Sequence, residues 1–253
     1  MLTYEIVPLK FAIFHNHELS TLTYLTDIGE KVLAPVVCYL IKGNGRAVLV
    51  DTGCGEPDWA EKYHRRTTQT EDMLLLNSIR AAGVDPKDLD CIVNTHLHWD
   101  HCWCNNLFPD KKVYVQKKEL QYAACPLPVH YVYYESAELG LIPPWTKSIK
   151  QYVAVDGDYE LFDGIQLVFI PGHTPGFQGV LVNTTGGRYL IASDALGSYD
   201  NWYGKGHMKH IPPAIHVDLN ECYRSFEKME KICDYILPGH DMRVFDHAVY
   251  PYE

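Results

Sequence analysis

The sequence predicts an α/β fold, and three observations carry that prediction. Short apolar, β-branched runs recur along the chain and stop at Gly, Pro, Asn or Asp, as strands between turns do. Segments with the 3.6-residue apolar period of an amphipathic helix lie between some of them. A length of 253 residues suffices to bury one large core, and one domain over residues 1–253 is the expected organisation.

Residues 1–32 read as an irregular leader with a candidate first strand over 4–8. His15 and His17 have no matching partner nearby in sequence and are expected at the surface or on a pocket rim. The runs 36–41 and 46–50 are joined by Lys42-Gly43-Asn44-Gly45, strong hairpin chemistry, and the second ends in Asp51-Thr52-Gly53. An Asp at the end of a buried strand is a turn cap or a carboxylate that orients metal ligands from behind. Residues 70–82 have a polar start, an apolar stripe at Met73, Leu74, Leu76 and Ile79, and Gly83 as a stop, which predicts a helix. A buried strand at 89–93 and another at 113–116 precede a short helix over 117–124, halted by Pro126 and Pro128. Residues 129–145 are aromatic and irregular, and Tyr131, Tyr133, Tyr134 and Trp145 are expected to form a binding wall or a subunit contact. Strands follow at 151–155, 165–170, 178–182 and 188–192, with turns at Asp163-Gly164 and 184–187. Asp218 caps a helix with Glu221 as capping-box partner and Leu219, Cys222, Phe226 and Met229 as apolar face, and 234–237 is the last strand.

Hydrophobic residues make up 47% and charged residues 21%, the balance of a globular chain rather than a disordered one. A net charge of −10 repels phosphate backbones and no Lys/Arg cluster offsets it, which argues against nucleic acid and for a small-molecule substrate. Residues 1–9 lack the basic and apolar regions of a signal peptide, and no window reaches the ~18 apolar residues of a membrane span. A cytoplasmic protein, away from membranes, is therefore expected. Its eight cysteines then read as reduced thiols, and Cys102 and Cys104 as small residues packing a loop rather than a soft-metal or redox pair.

The chemistry concentrates in Asn94-Thr95-His96-Leu97-His98-Trp99-Asp100-His101, which follows the strand at 89–93. Alternate spacing of His96, His98 and Asp100 does not fit one helix face, whereas a loop leaving a strand can gather them. Imidazole with carboxylate suits zinc, and also iron, manganese or cobalt. Three further strand ends carry similar cargo beside Gly or Pro: Pro171-Gly172-His173-Thr174-Pro175-Gly176, Ser193-Asp194 and Pro238-Gly239-His240. Strand ends of one sheet project into one crevice, so five histidines and two aspartates are enough for two metals.

In this series of motifs the chain resembles the metallo-β-lactamase superfamily, and within it the N-acyl-homoserine lactonase-like branch. The resemblance runs from Asp51-Thr52-Gly53 to His240. It implies a four-layer αβ/βα sandwich with two zinc ions. His96, His98 and His173 would hold the first, Asp100, His101 and His240 the second, and Asp194 would bridge them, with Asp51 orienting ligands from behind. It further implies a hydrolase that opens a small cyclic ester by attack of a metal-bridging hydroxide, with Asp100 passing the proton to the leaving group. The homoserine lactonases place a Tyr three residues after the bridging Asp to hydrogen-bond the substrate carbonyl. Here that position is Gly197, and Tyr199 or Tyr203 is expected to reach the same space. Trp202, His207, His210, His216, Tyr131 and Tyr134 are further pocket candidates.

The alternatives are hydrolysis of a cyclic amide or another ester, a thioester hydrolase of the glyoxalase II kind, and a non-catalytic metal-binding sensor. Only 13 residues follow His240, little room for the basic glutathione-binding region of glyoxalase II. The aromatic stretch and the long leader are consistent with a homodimer contact.

Overall fold

The computed structural model describes residues 2–252, so the first residue of the expected leader lies outside them. Its strands are β1 (Glu5–Glu18), β2 (Lys31–Gly43), β3 (Arg46–Val50), β4 (Thr67–Thr68), β5 (Cys91–Val93), β6 (Lys112–Gln116), β7 (Tyr152–Val155), β8 (Tyr159–Phe162), β9 (Ile165–Phe169), β10 (Gln178–Thr184), β11 (Gly187–Ser193) and β12 (Tyr235–Pro238). Its α-helices are α1 (Pro57–Tyr63), α2 (Leu75–Ala81), α3 (Trp99–Cys102), α4 (Lys117–Ala124), α5 (Tyr131–Tyr134), α6 (Tyr199–Tyr203) and α7 (Leu219–Ile232). Two sheets result, ordered β4-β1-β2-β3-β5-β6-β7 and β12-β11-β10-β9-β8.

The run Val36-Val37-Cys38-Tyr39-Leu40-Ile41 is apolar at every position because β2 is covered on both faces. Val37, Tyr39 and Ile41 point into a core shared with Leu167, Val180, Val182 and Ile191 of the second sheet. Val36, Cys38 and Leu40 point the other way, toward Ala60 of α1 and Leu75 and Ile79 of α2. The outer face of the second sheet repeats this, with Val168, Leu190 and Ile236 packed against Phe226 and Met229 of α7. The order helix, sheet, sheet, helix is the four-layer sandwich that the resemblance implies.

Parallel pairing of β3, β5, β6 and β7, and of β11 with β12, aims the strand ends the same way. The β2–β3 hairpin turns through Asn44 and Gly45, both at positive φ, as a two-residue hairpin demands. Asp218 Oδ1 accepts from the backbone N–H groups of Asn220 and Glu221, capping α7 as expected. Glu221 pairs with Arg224 instead of closing a capping box, and Leu219 is exposed rather than part of the buried face.

Several expectations need correction. The leader is mostly strand: β1 runs 14 residues against β2, with register shifts at Lys10/Ala12 and Phe14/His17 that break its alternation. Residues 70–82 are two pieces, because Leu74 leaves helical geometry at ψ 129° between a 3-10 turn and α2. The buried stripe of α2 is therefore Leu75 and Ile79, and Leu74 faces solvent. The aromatic stretch forms helical turns with Tyr134 and Trp145 buried in their own cluster. An unexpected edge strand, β8, turns back on β9 at Asp163-Gly164.

Candidate metal centre

Residues after the ends of five strands meet in one crevice: Asp51 after β3, His96 to His101 after β5, His173 after β9, Asp194 after β11 and His240 after β12. His98 stands at the N-cap of α3 with extended backbone (φ −63°, ψ 154°). His96 and His98 thus stay in the loop while Asp100 and His101 turn away with the helix. The donors divide accordingly. Ligand atoms of His96, His98, His173 and Asp194 lie within 4.8 Å of one another, and those of Asp100, His101 and His240 do likewise. Asp194 stands between the groups. Its Oδ2 is 3.7 Å from His173 Nε2 and 4.0 Å from His96 Nε2, and its Oδ1 is 3.4 Å from His101 Nε2 and 3.1 Å from His240 Nε2.

The hydrogen-bond network fixes which nitrogens face inward. His173 Nδ1 is 2.7 Å from the Ile215 carbonyl and His240 Nδ1 is 2.8 Å from the Pro35 carbonyl, so both must donate there. His101 Nδ1 donates to Asp51 Oδ2 at 2.9 Å. Thr95 Oγ1 donates to Asp51 Oδ2 at 2.8 Å and so accepts from His96 Nδ1 at 3.0 Å. In the neutral imidazoles the Nε2 lone pairs of His96, His101, His173 and His240 all converge on the crevice. His101 Nε2 and Asp194 Oδ1 are buried without a hydrogen-bond partner. Converging lone pairs around a buried carboxylate repel one another unless a cation sits between them, so the donor set fits metal binding.

Titration behaviour agrees with this. Burial, with neighbouring histidines, holds His96 and His98 well below the usual imidazole range, ready to coordinate as neutral rings. Burial, partly offset by Asp194, brings His173 down to about 4. At His101 and His240 burial pulls downward but Asp194 and Asp100 outweigh it and raise both, the mark of a field that favours positive charge.

Neighbouring residues hold this geometry. Asp51, buried at the end of β3, accepts from Thr95 N, Thr95 Oγ1, His101 Nδ1 and Ser193 Oγ. Asp51 (φ 60°) and Ser193 (φ 44°) are non-glycine residues at positive φ, backbone strain stored where two strands deliver their ligands. Gly239 is required because a Cβ there would lie 2.3 Å from Asp194 Oδ1. Glu119 of α4, which sequence reasoning passed over, is fully buried behind the loops and accepts from Leu97 N, Tyr134 Oη and Thr174 Oγ1.

The crevice opens into a cavity of about 40 Å³, room for roughly three waters by a measure in which one occupies ~10–15 Å³. Of the expected residues, His98, Asp100, His173, Asp194 and His240 line it, as does Gly197. A Cβ at 197 would lie 3.0 Å from Leu22 Cδ2, so Leu22 packs against this position and would have to shift for any larger residue. Tyr199, Trp202 and Tyr203 do not reach that space. They line a separate cavity with Tyr235, Arg243 and Tyr250. His210 is likewise elsewhere, donating from Nδ1 to the Trp202 carbonyl, pairing through Nε2 with Glu230 and stacked on Trp202 at 4.5 Å. His207 is exposed, and His216 bonds the Pro213 carbonyl edge-on to Tyr24, next to the pocket rather than in its wall. Tyr134 supports His98 from below, ring centroids 4.8 Å apart, and Tyr131 does not line the pocket.

Sequence reasoning missed the wall residues Phe14, Leu22, Arg65 and Ile215, whereas Tyr133, expected in a binding wall, and His17, expected at the surface or on a pocket rim, do line the cavity. His17 is buried, not at the surface, and stacks on His240 at 6.4 Å. Alternation along β1 was the one available signal for Phe14, and the bulge before His17 hid the rest. Cys102 is buried with its thiol toward the Leu97 and His98 carbonyls, and all eight cysteines are unpaired. Among the described residues no helix is long and apolar enough to cross a membrane.

Comparison with known proteins bears on this geometry. Residues 33–240 match the metallo-beta-lactamase superfamily. An N-acyl homoserine lactonase of a Bacillus species is 32% identical over 242 residues, covering 90% of this chain and 88% of its own. A solved structure of the Bacillus thuringiensis lactonase AiiA, a mutant with N-decanoyl-L-homoserine at the active site, superposes with TM-score 0.78 at 25% identity. It covers 100% of this chain and 99% of its own. AidC, described as a dizinc quorum-quenching lactonase, shares the fold at TM-score 0.71 and 18% identity, over 96% and 89% of the two chains.

Proposed function

The chain belongs to the metallo-β-lactamase superfamily, in its N-acyl-homoserine lactonase-like branch, and from that premise we propose that it is a dizinc hydrolase that opens the ring of a small lactone. The observation that carries this reading is the pair of buried donor groups with Asp194 between them. His96, His98 and His173 would hold one ion, Asp100, His101 and His240 the other, and Asp194 both. When bound, such a pair supplies Lewis acidity and lowers the pKa of water from 15.7 to about 7.

The chain's own residues do the rest. Asp51 and the Ile215 and Pro35 carbonyls hold the histidines in the tautomers that coordinate. Phe14, Leu22, Trp99 and Ile215 keep bulk water from the ester. Asp100, whose carboxylate reaches the cavity, carries the proton to the leaving alkoxide. Tyr133, in the wall beside His98, replaces Tyr199 and Tyr203 as the hydroxyl available to the substrate carbonyl.

The test is elemental analysis of protein purified without chelator, paired with hydrolysis of lactones, cyclic amides and thioesters. About two zinc ions per chain, and lactone opening that chelation abolishes and zinc restores, are expected. A fully metallated protein that opens no lactone would refute the reading, and turnover confined to thioesters would move it to the glyoxalase II class.

We also place the protein in a reducing compartment, the cytoplasm, in keeping with its unpaired cysteines. We further propose a homodimer contact at the leader and the aromatic stretch, a reading supported by the exposed Ile28, Val129 and Ile142. Light scattering should give twice the chain mass; a monomer at micromolar concentration would exclude that contact.

A further inference from the structure

Arg65 lines the cavity opposite the ligand clusters, and its guanidinium is only partly accounted for. Thr21 Oγ1 donates to the Glu18 carbonyl at 2.7 Å, so it accepts from His17 Nε2–H at 2.7 Å. His17 Nδ1 is then a bare acceptor, and Arg65 Nη1 donates to it. That is the one side-chain hydrogen bond of Arg65 among the described residues, from a group with five N–H donors. Arg65 Nε is buried with no partner, and among the described residues no carboxylate lies within ion-pair distance of the side chain, the Asp100 charge acting on it only from farther off. Phe14 covers the guanidinium, with Cζ 5.3 Å from the ring centroid, and holds it in place.

A half-buried, pre-positioned cation with a buried, idle Nε–H and no ion-pair partner is built to receive an anion. The planar fork matches a carboxylate, and Arg65 lines the same cavity as Asp100, His173, Asp194 and His240, so one compact substrate can reach both. We propose that Arg65 is a specificity-determining residue and that the substrate is a compact lactone bearing a carboxylate, which the Arg65 guanidinium binds while the ester group lies at the ligand clusters. This rests on the ring-opening reading above and narrows it to an anionic substrate. Hydrolysis stays balanced: water adds across the acyl C–O bond, that bond breaks, and a hydroxy dicarboxylate leaves.

The experiment uses the zinc-loaded full chain and two substrates of nearly equal size, γ-butyrolactone-γ-carboxylate and its carboxamide. The wild type should prefer the carboxylate by tenfold or more in kcat/KM. Arg65→Met should cut that ratio 10- to 100-fold, chiefly through KM, and Arg65→Lys should retain part of it. A wild-type ratio near one, or an unchanged ratio in Arg65→Met, overturns the proposal while ring opening itself would stand. Calorimetry with glutarate, against its monoamide, reads the anion site without turnover. Arg65-dependent glutarate binding in a protein that opens no lactone would sustain the anion site and refute the ring-opening reading. Equal binding of glutarate to wild type and both variants would refute the anion site.

Discussion

Glu119 is a carboxylate with no exposure, and its partners lie on three different segments: Leu97 N between two candidate ligands, Thr174 Oγ1 beside a third, and Tyr134 Oη under His98. Burial raises its pKa while these donors pull it back, so the site is held by hydrogen bonds to an acceptor and not by an ion pair. Gly176 packs so close that a Cβ there would lie 2.1 Å from Glu119 N, which leaves no slack for repacking. Glu119→Gln replaces one accepting oxygen with an NH2 that cannot accept, so a donor such as the Leu97 N–H can lose its partner. One buried donor left unpaired costs about 1–3 kcal/mol, and loss of such outer support lowers metal affinity ~10–100-fold. Denaturant unfolding and zinc titration of this variant check both figures; wild-type values for the two would show that Glu119 merely fills space.

Strand ends are the elements that build this site, and they were largely legible in the sequence. Each carries an apolar run that ends with His or Asp close behind, beside Gly or Pro after β3, β9 and β12, and β3, β5, β9, β11 and β12 all bring that cargo to one crevice. What lay hidden was set by contacts distant in sequence. The bulges of β1 interrupt its alternation, so the faint signal for Phe14 was lost, and His17, expected at the surface or on a pocket rim, gave no sign that its ring meets His240. No local pattern marks Arg65, which lies just past α1 and meets its partner His17 across 48 residues. Tyr199 and Tyr203 pointed wrongly because α6, opened by its Ser198 cap, carries both to the outer cavity. Asp51 shows what a strand end contributes. It ties the segments after β3, β5 and β11 through four accepted hydrogen bonds, one of them from His101. Asp51→Ala strands Thr95 N and His101 Nδ1 in a buried site. The expected result is a ~10–100-fold weaker second zinc with the first largely kept, measured by competition with a chromogenic chelator. Equal weakening of both ions would assign Asp51 to the whole fold instead.

At the scale of the molecule, the core between the sheets draws on residues from Tyr4 to Tyr250, so the two halves of the chain share one apolar interior. We therefore expect residues 1–253 to unfold as one cooperative domain, with equal calorimetric and van't Hoff enthalpies. The candidate metal centre sits at the end of that interior, and its candidate ligands come from both sheets: His96 and His101 follow the first, His173, Asp194 and His240 the second. A metal ion held by these donors would tie the ends of both sheets together. Ligand that binds only the folded state adds RT ln(1 + [L]/Kd), about 2.7 kcal/mol at a hundredfold excess over Kd. For a chain of this size each kcal/mol moves Tm by ~2–4 °C, so zinc should raise the single transition of the chelated protein by about 5–11 °C. Because both sheets hold the ion, the whole transition should shift. If zinc instead split the melt into a shifted and an unshifted component, the sheets would be separate units and the one-domain reading would fail.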